Sequence, residues 1–147
     1  MKEIFIQLFE RDLEKLKTEI TSYKDGNKMW EISGDISNSA GNLCLHICGN
    51  LQHFIGSVLG ISAYKRDRDS EFSRKNIPVD EIIKKIDHTI FTVKKTLNEL
   101  DLNNLEEIYP INVFGYEMTT GFFLAHLTTH LNYHLGQINY HRRLLDK

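Results

Sequence analysis

The sequence predicts an all-α fold, a four-helix bundle with long connecting loops. Four segments repeat apolar side chains at the spacing of helical turns, and none alternates apolar and polar residues as a half-exposed strand does. The chain has 147 residues, enough to bury a core, and 41% of them are hydrophobic and 26% charged, as in globular proteins. We therefore expect a single four-helix-bundle domain over residues 1–147.

The first predicted helix covers residues 3–24. Its apolar side chains recur every three or four positions and so share one face, with charged residues at most other positions. The apolar set is Phe5, Leu8, Phe9, Leu13, Leu16, Ile20 and Tyr23. A polar run with glycine at residues 24–27 ends this helix. The loop that follows, up to Ser39, contains the single tryptophan, Trp30, which we expect to fold onto the bundle.

The second predicted helix, residues 41–60, is almost entirely apolar. Its polar side chains are spaced by four, four and three positions and therefore form one stripe. They are Asn42, His46, Asn50 and His53. An unpaired buried imidazole or amide costs a few kcal/mol, so this stripe must face water, other polar groups or an ion. Cys44 and Cys48 lie on another side of the helix, and we interpret them as free thiols that fill the core.

The next connection contains a charged run at residues 66–72, RDRDSEF. A run of mixed sign is typical of a solvated segment, and we interpret it as one. A second interpretation places Arg66, Arg68 and Glu71 over one end of the bundle.

The third predicted helix, residues 79–100, follows Pro78, a residue favoured in the first turn of helices. A heptad-like apolar seam runs along it, formed by Val79, Ile82, Ile83, Ile86, Ile90, Val93, Leu97 and Leu100. His88 lies outside this seam, and we expect it to be solvated. Residues 101–120 then form another loop, and Thr119 or Thr120 is the expected N-cap of the fourth helix.

The fourth predicted helix carries His126, His130 and His134 at intervals of four residues. At about 100° per residue, all three fall within an arc of roughly 80° and line one face. Gln137 and His141 continue this stripe. An apolar seam lies beside it, formed by Leu124, Leu127, Leu131, Leu135 and Ile138.

Histidines four residues apart on a helix can bind one metal ion, because their Cβ atoms are about 5 to 6 Å apart. Adding His46 from the second helix to His130 and His134 gives three ligands and leaves a fourth position for water or substrate. His53, His126 or His141 can replace one member of this set, and the sequence leaves that choice open.

The same spacing also occurs on ordinary wet helix faces. On this reading His126 is a histidine at the rim of the bundle. We likewise interpret His141 as a surface residue near Arg142 and Arg143.

Charge and hydropathy exclude two classes of partner. The formal net charge of −2 argues against a general attraction to nucleic acid. No apolar stretch has the length of a signal peptide or a membrane span, so we expect a cytoplasmic protein without a membrane partner.

Two segments, LCLHICGNLQHFIG and THLNYHLGQI, resemble the DinB-like family of damage-inducible four-helix-bundle proteins, which are regarded as metal-dependent enzymes. By position, the resemblance implies metal ligands at His46, His130 and His134, the set that helix geometry also proposes. It further implies a homodimer, since members of this family often pair through helix faces. Leu135 is a departure, because many members have arginine directly after the last ligand histidine.

The resemblance implies a metal-dependent enzyme acting on a small-molecule substrate. Characterised proteins of this fold include bacillithiol transferases and a mycothiol-dependent isomerase, so we expect a thiol S-transferase or a hydrolase. The expected cofactors are a divalent metal, zinc or nickel, and a low-molecular-weight thiol. The residues expected to orient the ligands or the substrate around the metal are Asn50, His53, Gln137, Tyr133 and His126.

An opposed hypothesis comes from a different class of protein. Here the chain is a non-catalytic, stress-associated or interaction protein, and its histidines form a hydrogen-bonded polar cluster or a vestigial site. Bound metal with an open coordination position distinguishes the enzyme from this alternative.

Overall fold

The computed structural model describes the backbone of residues 1–147 and every side chain except that of Leu102. Four long helices form the bundle: α1 (Lys2–Thr21), α2 (Ala40–Leu51), α4 (Val79–Glu99) and α5 (Thr120–Leu145). A short helix, α3 (Arg68–Ser73), lies in the connection between α2 and α4. Within the described part of the chain, extended pairing is confined to one antiparallel bridge between Ile108 and Thr119. The predicted all-α fold is therefore confirmed.

The bundle is arranged so that α1 packs against α4 and α5, and α2 packs against α5 and α4. Apolar side chains from all four helices fill the space between them. Phe9, Leu13, Ile86 and Ile138 are fully buried, and Leu127 and Leu131 are each 1% exposed. These buried side chains fix the orientation of α5, so that its histidine face is turned towards α2.

The predicted helix boundaries are close to the observed ones at α4 and at the start of α5. Thr119 is the N-cap of α5, and its Oγ1 accepts a hydrogen bond from the Phe122 N–H. The second predicted helix is different, because its α-helical part ends at Leu51 and continues as a π-helical turn over Gln52–Ser57. Wider turns of this kind occur often beside functional sites.

Trp30 folds onto the bundle, as predicted, and is 8% exposed. Its ring lies directly over Gly41 at the start of α2, where an added Cβ would come within 2.6 Å of the ring carbons. A glycine at position 41 therefore allows this close contact between the first loop and α2. Cys44 and Cys48 are buried free thiols, and His88 is exposed, both as predicted.

The prediction that His141 is a surface residue is wrong, since its side chain is 4% exposed. Its Nε2 donates to the Glu31 carbonyl at 2.7 Å, and its Nδ1 accepts from the Tyr23 hydroxyl at 2.7 Å. The loop after α1 folds over this part of α5 and covers the imidazole. Among the described residues, no helix is both long and apolar enough to cross a membrane.

Candidate metal centre

Three histidine side chains meet where α2 packs against α5. His46 comes from α2, and His130 and His134 lie one turn apart on α5. His130 Nε2 is 3.2 Å from His46 Nε2 and 3.1 Å from His134 Nε2. One ring nitrogen of each residue lies within 4.8 Å of the other two, close enough for the three to hold one metal ion.

The hydrogen bonds on the outer side of two of these rings fix their tautomers. His46 Nδ1 lies 3.0 Å from Glu71 Oε1, and His134 Nδ1 lies 2.7 Å from Gln137 Oε1. Carboxylate and amide oxygens only accept hydrogen bonds, so each neutral ring carries its proton on Nδ1. The lone pair of each Nε2 is therefore directed to the inside of the cluster.

The geometry of the three histidines could accommodate a metal ion. Two Nε2 lone pairs approach His130 Nε2, which donates at most one hydrogen bond, so one of them lacks a donor. In a tetrahedral site with bonds of about 2.1 Å, two ligand nitrogens lie about 3.4 Å apart. The two separations that involve His130, 3.1 and 3.2 Å, are close to that value, and all three atoms lie within 4.8 Å of one another.

The environment of the two histidines of α5 favours neutral imidazoles. Burial, and to a smaller extent the neighbouring histidines and Arg66, lower the pKa of His130 to about 3. Burial also lowers the pKa of His134. Neutral imidazole is the form that binds metals, so neither ring has to lose a proton at neutral pH.

Glu71 is the residue of this site that the sequence did not identify. The run at residues 66–72 was interpreted as solvated, but Glu71 lies on α3 and is 4% exposed. It accepts hydrogen bonds from His46 and from both Nε and Nη2 of Arg66, the last two at 2.9 Å. Burial alone would raise the pKa of the Glu71 carboxyl, but His46 and Arg66 hold it below the ordinary value.

Arg66 and Phe72 complete the surroundings of His46. Arg66 Nη2, bonded to Glu71, also lies 3.3 Å from His46 Nδ1, and its guanidinium stacks over Phe54 at 5.6 Å. The Phe72 ring lies 5.0 Å from the His46 ring. Arg66 and Glu71 therefore pack beside His46, whereas Arg68 lies over the Phe72 ring at 5.3 Å.

Two of the residues expected to orient the ligands, Gln137 and Tyr133, lie next to His134, and a third, Asn50, is buried. Gln137 touches His134 of the histidine cluster directly, and the Tyr133 ring lies 5.3 Å from the His134 ring. Asn50 is 7% exposed, and its Oδ1 has no hydrogen-bond partner among the described atoms.

The other histidines lie outside the converging set. His53 packs against Phe54, with 4.8 Å between ring centroids. His126 stacks on Phe123 at 5.7 Å and lies 6.1 Å from His130. The structure therefore brings together His46, His130 and His134, and leaves out the three histidines that the sequence allowed as replacements.

Comparison with known families gives a match over almost the whole chain. A family model described as "Protein of unknown function (DUF1572)" matches residues 4–147. The chain belongs to the DUF1572 family. A comparison with curated proteins finds no match to it. The matched region contains α1 from its third residue onward, the other four α-helices in full and all three converging histidines, so the candidate site is part of the DUF1572 domain.

A cavity of about 520 Å³ opens beside this site. His134 and Gln137 form part of its wall, and it extends along α5 to Tyr140 and Leu144. The loop before α2 closes the other side with Asp35–Asn38. Small-molecule sites commonly have volumes of roughly 300 to 1,000 Å³, so this DUF1572 chain has room for a small ligand next to one of the histidines.

Proposed function

We propose that this DUF1572 protein is a metal-dependent enzyme that holds one divalent metal ion at His46, His130 and His134. The observation that carries the proposal is the convergence of three Nε2 atoms, two of them from rings whose Nδ1 atoms are held by acceptors. A structural zinc site is usually closed by four protein ligands, whereas three ligands leave a position for substrate. The donor set therefore favours a catalytic role over a structural one.

Three neutral imidazoles leave the full charge of a divalent ion in place, and such an ion lowers the pKa of a bound thiol or water towards neutrality. Two residues of the chain orient the histidine rings for this role. Glu71 orients the His46 ring through the Nδ1 hydrogen bond, and Gln137 orients the His134 ring in the same manner. Imidazole ligands suit zinc and nickel, and we propose these two metals first.

The resemblance to the DinB-like family supports a transferase or hydrolase acting on a small molecule. In that reading, either a low-molecular-weight thiol or water is the group that becomes the nucleophile. The arginine that many members of that family have after the last ligand is replaced by Leu135, which is 8% exposed within the apolar seam of α5. We therefore propose no cation at this position for binding an anionic substrate.

Metal content tests the proposal directly. Elemental mass spectrometry on the untagged protein is expected to find about one equivalent of metal after reconstitution. His46→Ala and His130→Ala are each expected to lose it, since two remaining imidazoles bind far more weakly. The matched control is His88→Ala, because His88 is an exposed histidine of α4 outside the cluster and its loss should leave the metal content unchanged.

The non-catalytic alternative predicts a different result. A purely structural polar cluster would contain the same hydrogen bonds of His46 to Glu71 and of His134 to Gln137. If the wild type binds no metal after reconstitution, and if His130→Ala lowers the melting temperature equally with and without a chelator, the enzyme proposal is wrong and the structural cluster is the better description.

A further inference from the structure

The cavity beside His134 is lined by aliphatic side chains and by tyrosine rings. Apolar side chains from the loop, from α2 and from α5 form one part, namely Ile36, Leu43 and Leu144. Tyr133 and Tyr140 line the cavity as well and are 66% and 64% exposed, so their rings are available at its opening. Such walls favour a ligand with an apolar or aromatic body, because contact with them removes apolar surface from water.

The charged residues of this wall differ from those that surround His46. Asp35 is the charged residue of the lining, and no lysine or arginine is found among the described residues that form the wall. Arg143 lies against the Tyr140 ring, 5.7 Å from its centroid, but is not part of the wall. Arg66, the cation that touches His46, is bonded to the Glu71 carboxylate, and neither residue lines this cavity.

The Asp35 carboxylate and the tyrosine rings both favour a positively charged ligand over a negatively charged one. A carboxylate such as Asp35 attracts a cation and repels an anion. The faces of tyrosine rings carry negative potential and also attract cations. The acceptor oxygen of Gln137 is used by His134, and the remaining hydrogen-bonding groups of the wall include the Gln137 amide N–H groups, the tyrosine hydroxyls and the side chains of Ser37 and Asn38, none of which carries a charge.

We propose that this cavity is the substrate cavity of the metal site, and that it takes a small non-anionic molecule with an apolar body, preferring an organic amine to a carboxylate of the same shape. The inference rests on the proposed function for the link to a metal. The ligand preference rests on the cavity wall alone. The two parts can therefore fail separately.

Benzylamine and benzoate are suitable probes, since they have nearly the same shape and opposite charge. Each is titrated into the ¹⁵N-labelled full chain as reconstituted with zinc, and again after the metal is removed by a chelator. Benzylamine is expected to shift the amide signals of residues 35–38 and 133–144 in both samples. Benzoate is expected to bind the metal-free sample at least about fivefold more weakly, as for one favourable charge contact near a protein surface.

Variants of Asp35 test the origin of the preference. Asp35→Asn should remove most of the difference between the two probes, and Asp35→Lys should reverse it. Asp35 is exposed on a loop, so neither change disturbs the core. Glu99→Gln is the control, because Glu99 is an exposed carboxylate on α4 and does not line this cavity.

Equal or tighter binding of benzoate to the metal-free protein would overturn the ligand preference, and so would shifts that fall outside the cavity for both probes. Absence of metal in the reconstituted sample, with benzylamine still bound in the cavity, would instead contradict the proposed function and leave the preference standing. Benzylamine shifts that never include His134 or Gln137 would contradict the link between cavity and metal site.

Discussion

Gly49 leaves the space that the Glu71 carboxylate occupies. A Cβ built on Gly49 would lie 2.0 Å from Glu71 Oε2 and 2.6 Å from Glu71 Cδ. Glu71 cannot move away freely, because Arg66 and His46 both hold its carboxylate. The hydrogen bond that orients His46 therefore requires a residue without a side chain at position 49 of α2.

Gly49→Ala should weaken metal binding although position 49 touches no metal ligand. The added methyl group forces the Glu71 carboxylate off His46 Nδ1, and loss of such an outer hydrogen bond typically costs 10- to 100-fold in metal affinity. Competition with a chromophoric chelator measures this change. The control is Gly136→Ala on α5, where an added Cβ meets no atom within 4 Å and the helix should become slightly more stable. Equal affinity in Gly49→Ala and wild type would contradict the role of Glu71.

Glu71→Gln should reduce metal affinity by a similar factor of about 10 to 100, because an amide oxygen is a weaker acceptor for the His46 Nδ1–H than a carboxylate. The side-chain shape is kept, so near-UV circular dichroism should show an intact fold. The decisive comparison is the double variant with Gly49→Ala. If both changes act through the same hydrogen bond, the second adds little to the first. Additive losses would show that they act independently.

The overall fold could be predicted because it depends on periodicity. The seams of α1, α4 and α5 recur at helical spacing, and His46 stands out because a polar stripe crosses an otherwise apolar helix. His130 and His134 follow from their interval of four. These features are local in sequence, and helix geometry converts them into a shared face.

Glu71 and His141 could not be predicted in the same way, because their environments depend on loops. Glu71 sits in a charged run whose composition is that of a solvated segment, and only the fold of α3 against α2 buries it. His141 neighbours two arginines in sequence, yet the loop after α1 brings Tyr23 and the Glu31 carbonyl to its two nitrogens. One feature of the sequence points to a residue such as Glu71. The polar stripe of α2 contains buried imidazole and amide groups that need hydrogen-bonding partners.

Tyr23→Phe should destabilise the protein by about 1 to 3 kcal/mol, since the buried Nδ1 of His141 loses its hydrogen-bond donor. Burial raises the pKa of Tyr23, so its hydroxyl keeps its proton and remains a donor over the working pH range. Urea unfolding measures the free energy of unfolding. Tyr140→Phe is the control, because Tyr140 is 64% exposed and the change should be within about 0.5 kcal/mol. A matching small effect in Tyr23→Phe would mean that the His141 contact contributes little.

Asp12 should make the protein less stable in acid. Its carboxylate is 2% exposed on α1, accepts from Arg11, and binds α5 through Asn132 Nδ2 at 2.8 Å. Burial alone would raise the pKa of Asp12, but the hydrogen bonds from Arg11 and Asn132 hold it below the ordinary value. Because its pKa is lowered in the folded state, Asp12 stabilises the fold fully when the pH is above the ordinary pKa of an aspartate. This contribution is lost as the pH falls through the folded-state pKa.

The measurement is the difference in unfolding free energy between wild type and Asp12→Asn as a function of pH. Wild type should be the more stable at pH 7, and the difference should shrink as the pH falls below the ordinary range of aspartate, about 4, because protonated Asp12 has lost its charge. Asp87→Asn is the control, since Asp87 pairs with Lys17 on the surface and such exposed pairs contribute about 0 to 1 kcal/mol. A difference that stays constant from pH 7 to pH 3 would show that the contribution of Asp12 to stability does not depend on its charge.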